Sequence, residues 1–491
     1  MYLTKFIDKK IILVNYVKEK ANICGITDYS KNIRPGMLFI IVKGNNKDGL
    51  EYLKEVLDKG AHAVLMEIEN IPKTINLKNI NVLRTKNIRL ASSRLAKVFY
   101  PKQPKNIVAI TGTNGKTSVA HYLHCIWKKN NYKSATIGTL GIKYNNIIKK
   151  TKLTTPGPIS LHKEIHLLKE KNIQYVALEA SSHAIHQHRI DSLDIKIAIF
   201  TNLTRDHMDY HLSMKNYFSC KQRLFLEILS KSGLAVINID NKYGELLKEI
   251  CKKKNINYIS YGFSKSDWRI IEVIKRDDYS EVKIEYKKRV FKFSCKLFAN
   301  YQIENLIAAI IVANIQKISL GEILKIVEKI KNPIGRLDKV KDITKSNLSI
   351  FIDYAHSPHS LEKSLKAIIK MRKKGGKVIL VFGCGGDRDK GKRKFMAKVA
   401  NLYADIIYIT DDNPRTENPS KIRKQLSEFC KYSINIGDRE KAIHNAILSM
   451  KEKDILLIAG KGHENYQEVM GEYLPFNDKI VAEEGLIRRV A

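Results

Sequence analysis

Short apolar runs recur along the chain, and each stops at a polar, chemically loaded loop. "IVAI" from Ile107 runs into "TGTNGKTS", "YVALEA" from Tyr175 into "SSHAIHQHR", and "IAIF" from Ile197 into "TNLTRDHMDYH". Further along, "SIFI" meets "DYAHSPHS", "VILVF" meets "GCGGDRDKGKR", "DIIYI" meets "TDDNPR", and "ILLIA" meets "GKGHE". Runs this short and continuous are those of strands buried on both faces. Helical patterns such as "LEKSLKAIIKMRKK" lie between many of them. Alternating strand and helix predicts parallel sheets, whose ligands sit at the carboxyl ends of the strands. The loaded loops fall in two groups, about 107 to 211 and about 353 to 464, so two α/β domains are expected. "NPIGRLDKV" (Asn332 to Val340) reads as a hinge between them. The first hundred residues form a separate unit, with "YSKNIRPGMLFIIVKGNNKDG" as its most loop-like stretch. The expected domains are 1–98, 99–333 and 334–491.

Composition narrows the class. The longest apolar stretches, such as Ile455 to Ala459, are far too short to span a bilayer, and the N-terminus carries no cleavage site for a signal or transit peptide. Seven scattered cysteines form neither a disulfide framework nor a zinc knuckle, so a reduced, cytoplasmic protein is expected. Lys plus Arg exceed Asp plus Glu by 87 − 50 = 37. That charge suggests a polyanion partner. However, the basic residues are spread evenly, with no basic arm and no aromatic platform. Lys, Ile and Asn, which have AT-rich codons, are abundant even where no role is evident. Mutational bias therefore explains the charge, and no nucleic-acid partner is expected.

Three constellations carry chemistry. "GTNGKT" (Gly112, Thr113, Asn114, Gly115, Lys116, Thr117) lies between a strand and a helix, where backbone N–H groups and the helix N-terminus cradle phosphates. Lys116 would reach the β/γ-phosphates and Thr117 a Mg²⁺. The usual spacing places a glycine at 110, where this chain has Ile110. Glu179 and His207, past neighbouring strands, are candidate ligands for a divalent cation. His183, His186, His188, His207 and His211 also raise a zinc hydrolase, but the HExxH glutamate is missing. In "DDNPR", Pro414 stiffens the loop that presents Arg415. Taken alone, such a string is a solvated turn.

Together these residues resemble the Mur ligase family, the ATP-dependent amide ligases of peptidoglycan precursor synthesis. "TGTNGKTS", "TTPGP", "EASSHAIHQHR", "TNLTRDHMDYH", "GRLD", "DYAHSP", "GCGGDRDKGKR", "DNPR" and "GKGHE" occur in that family's order across essentially the whole chain. The resemblance implies a small N-terminal α/β domain binding the uridine nucleotide, a central P-loop parallel-sheet ATPase domain and a Rossmann-like C-terminal α/β domain. It implies phosphorylation by ATP of the D-Glu γ-carboxylate of UDP-N-acetylmuramoyl-L-alanyl-D-glutamate. The amine of meso-diaminopimelate then attacks the acyl phosphate. Lys116, Lys221 and His207 are implied as catalytic, and Thr117, Glu179, His207 and a carbamylated Lys221 as the Mg²⁺ site. Asn305, Arg336 and Asp353 join Gly112 to Thr117 near ATP. Ser30, Thr154, Thr155, Ser181, Gln187 and Arg189 are implied around the UDP-muramoyl dipeptide. Arg388, Asp412, Asn413, Pro414, Arg415, Gly460 and Glu464 are implied around diaminopimelate.

One departure stands out. The family's N-terminal Asp-Ser-Arg is Tyr29-Ser30-Lys31 here, which removes an acid and a bidentate fork from the uridine site. Alternatives are a lysine-adding muramyl ligase, a folylpolyglutamate synthetase-like ligase and a nucleic-acid-binding P-loop ATPase. Small-molecule substrates and a monomer are expected. Lysine lacks the second carboxylate of diaminopimelate, so it would leave Arg415 unpaired, and such sites reject analogues by as much as ~10⁴-fold.

Overall fold

All seven apolar runs are strands: Asn106–Thr111, Tyr175–Glu179, Ile195–Phe200, Ser349–Asp353, Val378–Phe382, Ile406–Ile409 and Ile455–Ala459. The computed structural model describes residues 1–7, 11–44, 48–67, 77–276, 279–342, 344, 346, 348–430 and 432–490. Among these, three mixed α/β units follow one another along the chain, each built on its own sheet.

The N-terminal sheet has five strands, with Ile11–Asn15 at one edge, antiparallel to Asn81–Thr85, and the rest parallel. Its strand Met37–Ile40 lies inside the stretch expected to be mostly loop. The "LFII" run there is buried, and burial outweighs the flanking Pro35, Gly36 and Gly44 turn residues.

The central sheet has eleven strands. Its parallel core runs Ser134–Gly138, Tyr175–Glu179, Asn106–Thr111, Ile195–Phe200, Leu229–Asn238 and Tyr258–Gly262 in spatial order. The phosphate-loop strand therefore lies between the strands that end at Glu179 and Phe200. The order reverses there, and that reversal opens a crevice at the carboxyl ends. Alternate residues of Asn106–Thr111 feed two cores, Val108 and Ile110 on one face and Ile107 and Ala109 on the other. Ile110 is fully buried, so the strand occupies the position where the usual phosphate loop has its first glycine, and the loop begins at Gly112. Helix Asn300–Ile315 is apolar nearly all round from Leu306 to Ala313 and is sunk in the first core against helix Lys116–Lys129. An antiparallel meander of Trp268–Lys275, Ser280–Tyr286 and Arg289–Cys295 extends one edge.

The C-terminal sheet has six strands in the order Asp338–Lys339, Ser349–Asp353, Ile455–Ala459, Val378–Phe382, Ile406–Ile409 and Ser433–Asn435, all parallel except the first. Its carboxyl edge collects the loops "DYAHSP", "GKGHE", "GCGGDR" and "DDNPR". A separate hairpin, Tyr466–Val469 with Glu472–Pro475, follows "GKGHE". No helix among the described residues is long and apolar enough to cross a membrane.

Candidate active site

The phosphate loop is held rigidly by the strand end beside it. Thr113 N–H donates to the Asn202 carbonyl (2.9 Å), Asn114 N–H to Asn202 Oδ1 (3.0 Å), and Thr201 Oγ1 to the Asn114 carbonyl (2.6 Å). Two glycines are required. A Cβ on Gly112 would lie 1.9 Å from Thr201 Oγ1, and one on Gly115, at φ 92°, 2.4 Å from Asn305 Oδ1. Asn305 thus reaches the loop from the buried helix. Gly115 caps helix Lys116–Lys129, whose first N–H groups face the crevice.

Two lysines converge on this loop. Lys116 Nζ donates to the carbonyls of Gly112 and Thr113, both at 2.8 Å. Lys221 Nζ, 1% exposed, donates to the same Gly112 carbonyl at 2.9 Å and lies 4.7 Å from the Tyr217 ring centre. No carboxylate pairs with Lys221 among the described residues. Burial, and then the charge of Lys116, hold its amine well below the usual lysine range. Burial also lowers Lys116, opposed by Glu179 and Asp206.

Beside them, Thr117 Oγ1 donates to Glu179 Oε2 (2.9 Å), and Thr139 donates to both Glu179 oxygens, from N–H at 2.9 Å and from Oγ1 at 3.0 Å. This buried hydroxyl–carboxylate pair is a chemically suitable donor set for a hard divalent cation. Lys221 fits such an ion only as a neutral amine or after conversion to an anion. His207 sits at φ 54°, its ring edge-on to His183 and its Nε2 3.7 Å from Asp206. No hydrogen bond joins His207 or Lys221 to Glu179 among the described residues. Asp206 was not singled out from sequence. Burial alone would raise its carboxyl, but His207, His356 and Lys392 hold it at about 2. Its 3.9 Å approach to His356, with Arg205 3.8 Å from Asp389, links the central and C-terminal units. The histidines form no zinc centre: among the described residues, the one His/Cys/Asp/Glu trio with clustered ligand atoms is the distant Glu440, His444 and Glu484.

Thr155 Oγ1 donates to the Glu179 carbonyl (2.5 Å) and lies 3.3 Å from Ser181 Oγ, while Thr154 meets Thr139 at 3.4 Å. Arg189 reaches the Thr155 carbonyl (2.7 Å) and Gln187 Oε1 (2.6 Å), and Gln187 reaches the Tyr210 hydroxyl (3.2 Å). These five residues thus lie in one hydrogen-bond network that extends outward from Glu179. Ser30 stands apart, buried in the N-terminal unit. An acid does accompany that loop: Asp28, one position before Tyr29, acts electrostatically on Arg189.

In the C-terminal unit, Asp353 is already engaged, by Leu337 N–H (2.5 Å) and Ser364 Oγ (3.2 Å), and burial raises its carboxyl to about 6. Arg336 stacks 4.2 Å from the Tyr354 ring centre. Arg388 is exposed, and its charge reaches His183. Asn413 Nδ2 donates to Glu464 Oε2 (2.9 Å). Lys461, fully buried and not foreseen, donates to Asn413 Oδ1 (2.9 Å) and to that Glu464 oxygen (3.3 Å). Gly460 packs against the Asp412 carboxylate, and Pro414 precedes Arg415, which is left-handed at φ 52°. Arg415 is not unpaired. Its Nε donates to Glu468 Oε2 (2.9 Å) and its Nη1 to the Gly386 carbonyl (2.7 Å). The expectation that lysine would strand this guanidinium is therefore corrected, because a carboxylate four residues past Glu464 already partners it.

Residues 110–313 match the Mur ligase middle domain, and residues 335–462 match the Mur ligase glutamate ligase domain. The chain belongs to the Mur ligase family. It is 36% identical over 473 residues to UDP-N-acetylmuramoyl-L-alanyl-D-glutamate–2,6-diaminopimelate ligase of Rickettsia conorii, covering 94% of this chain and 96% of that protein. The protein of the same name from Chelativorans sp. is 35% identical over 476 residues, covering 96% of each. A solved structure of a ligase with this name superposes at a TM-score of 0.69 with 27% identity, covering 100% of this chain and 99% of that one. Folylpolyglutamate synthase of Mycobacterium tuberculosis shares the fold alone, at a TM-score of 0.63 and 14% identity over 82% of this chain and 95% of its own.

Mur ligase architecture thus comes here with a buried, unpaired lysine, and that carries a cost in stability. The folded pKa of Lys221 is depressed, so the unfolded chain binds its proton more tightly; the penalty is full below the folded pKa, shrinks as pH rises above it, and is gone above about 10. In CO₂-free buffer, Lys221→Met is expected to stabilise the protein by on the order of 1–2 kcal/mol at pH 7 and by less at pH 10, read by urea unfolding. A variant less stable than wild type at pH 7 would contradict the unpaired buried amine.

Proposed function

We propose that this Mur ligase joins meso-diaminopimelate to the D-Glu γ-carboxylate of UDP-N-acetylmuramoyl-L-alanyl-D-glutamate, at the expense of ATP. The observation that carries the reading is the pairing of two surfaces. Lys116, Lys221, Thr117 and Glu179 gather cations and a metal-competent carboxylate at a phosphate loop. Across the linked units, Arg415, Asn413 and Glu464 form a cluster of mixed charge suited to an amino acid. The names of the relatives support the same substrates.

A carboxylate is a poor electrophile, so activation precedes amide formation. The γ-carboxylate oxygen attacks the terminal phosphorus of ATP and ADP leaves. The free amine of diaminopimelate then attacks the acyl carbon, loses a proton, and phosphate departs. Lys116 neutralises charge on the transferring phosphoryl group, and Gly112 to Thr117 with Asn305 hold the phosphates. Thr117 and Glu179, with His207 and a carbamate on Lys221, would hold a Mg²⁺, which would supply further charge neutralisation. The depressed amine of Lys221 favours that carbamate, since only the neutral amine attacks CO₂. Thr154, Thr155, Ser181, Gln187 and Arg189 seat the muramoyl dipeptide, and Ser30 its nucleotide end. Asp353 and Arg336 act at the joint between central and C-terminal domains near ATP. Glu464 takes the distal ammonium and Arg415 the distal carboxylate, with Arg388, Asp412, Pro414 and Gly460 shaping the pocket. The three sheets support three domains, with the first limit set at about 99 by the end of helix Ile88–Phe99, and seven free cysteines support a cytoplasmic location.

The test is amide formation from the UDP-muramoyl dipeptide and ATP with meso-diaminopimelate or L-lysine. Wild type should prefer meso-diaminopimelate, and Arg415→Ala should lose about 1–3 kcal/mol in kcat/KM with it, the worth of a hydrogen bond to a charged group, while changing little with lysine. Equal use of the two amines by wild type would overturn the assignment of Arg415.

Lys221→Ala should lose most activity, and short-chain carboxylic acids should restore part of it by supplying the missing carboxylate. Full activity of this variant without additive would remove Lys221 from the mechanism.

A further inference from the structure

Arg415 stands in an unusual backbone conformation for an arginine, and one neighbouring residue holds it there. A left-handed φ at a non-glycine residue costs roughly 1–2 kcal/mol, so something must hold it in place. The strand Tyr466–Val469 does so at three points. Arg415 N–H donates to the Glu468 carbonyl (3.0 Å), Glu468 N–H donates to Asn413 Oδ1 (2.9 Å), and Glu468 Oε2 accepts from Arg415 Nε (2.9 Å). Met470 N–H also donates to the Arg415 carbonyl (2.7 Å). Glu468 is thus bonded to the loop through its N–H, its carbonyl and its carboxylate.

The side-chain bond has a directional consequence. A guanidinium is a planar fork of five N–H donors. Glu468 takes the Nε edge and the Gly386 carbonyl takes Nη1, so the plane is fixed from two sides. Nη2 has no hydrogen-bond partner among the described residues, and the Arg415 side chain remains 22% exposed. What faces outward is therefore the far end of the fork, in a set orientation. The same strand presents Tyr466 between Glu464 and Glu468, and Tyr466 feels the charges of both and of Arg415. Glu464 is positioned separately, by Asn413 and Lys461.

We infer that Glu468 is a positioning residue for diaminopimelate selectivity: it aims Arg415 at the distal carboxylate of the amino-acid substrate and does not itself touch the reacting atoms. This rests on the proposed reaction above. Without Glu468 the guanidinium regains rotamer freedom and the left-handed turn loses one of its anchors, so the distal carboxylate is bound less well. Lysine has no carboxylate at that end and is indifferent to how Arg415 is aimed.

The test is steady-state kinetics with meso-diaminopimelate and L-lysine as the varied amine, for wild type, Glu468→Gln, Glu468→Ala, Arg415→Ala and the double variant Arg415→Ala/Glu468→Ala. Glu468→Ala should raise KM for meso-diaminopimelate about tenfold, with kcat within about twofold and kcat/KM for lysine within about twofold, the scale of one charge-assisted hydrogen bond. Glu468→Gln preserves volume and one acceptor and should show a smaller rise of the same kind. It serves if the alanine variant does not fold. In the Arg415→Ala background, Glu468→Ala should have no further effect on diaminopimelate. A fall in KM for diaminopimelate would mean that Glu468 competes with the substrate, and equal losses with both amines would mean a purely structural role. Additive losses in the double variant would mean that Glu468 does not act through Arg415. Each of these overturns the inference. Wild-type enzyme that forms no amide with meso-diaminopimelate overturns the proposed reaction as well, whereas wild type that forms it alongside Glu468 variants that keep the full preference for meso-diaminopimelate over lysine overturns this inference alone.

Discussion

The carbonyl of Gly112 accepts hydrogen bonds from two lysines, one of them wholly buried, and no carboxylate pairs with the buried one among the described residues. Two lysine amines drawn to one neutral oxygen is an arrangement that favours loss of a proton from the buried one. Burial depresses the affinity of both for protons, and the charge of Lys116 lowers that of Lys221 further. Such a site is stable only because the surrounding fold over-determines it, and it becomes favourable when a polyanion arrives. The phosphate loop, the topological reversal of the central sheet and the glycines that admit Thr201 and Asn305 all serve to place that charge at the mouth of the crevice.

The second half of the site obeys a different rule. In the C-terminal unit three buried or half-buried cations have partners: Lys461 in Asn413 and Glu464, Arg415 in Glu468, and Arg439 in Asp478 as a fully buried bidentate pair. A pocket of balanced charge suits a zwitterionic amino acid, whereas a pocket of excess positive charge suits phosphates. The approaches of Asp206 to His356 and of Arg205 to Asp389 bring the central and C-terminal units side by side.

Much of this was legible in the chain. The seven strands ending in loaded loops could be read because parallel strands buried on both faces leave continuous apolar runs. "GTNGKT" could be read because a phosphate loop needs glycines at fixed points. The strand Met37–Ile40 is hidden in a loop-like stretch because turn residues flank it on both sides. The meander from Trp268 to Cys295 alternates apolar and charged residues, as Val282 and Ile284 do among Glu281, Lys283 and Glu285, but it leads to no chemically loaded loop. Asp206, Lys461 and Glu468 lie inside or just past recognisable motifs, yet nothing in the sequence distinguishes a buried, engaged side chain from a solvated one. Their roles come from tertiary partners, His356, Asn413 and Arg415, far away in sequence. The pairing of Arg415 was missed for that reason.

The account turns on the claim that the crowding at Gly112 is a site awaiting phosphate. A crystal structure with Mg²⁺ and a non-hydrolysable ATP analogue tests it most directly. The account predicts that Lys116 Nζ leaves the carbonyls of Gly112 and Thr113 for the terminal phosphate, with the metal against Thr117 and Glu179. A nucleotide bound elsewhere, with Lys116 still on those two carbonyls, would contradict it.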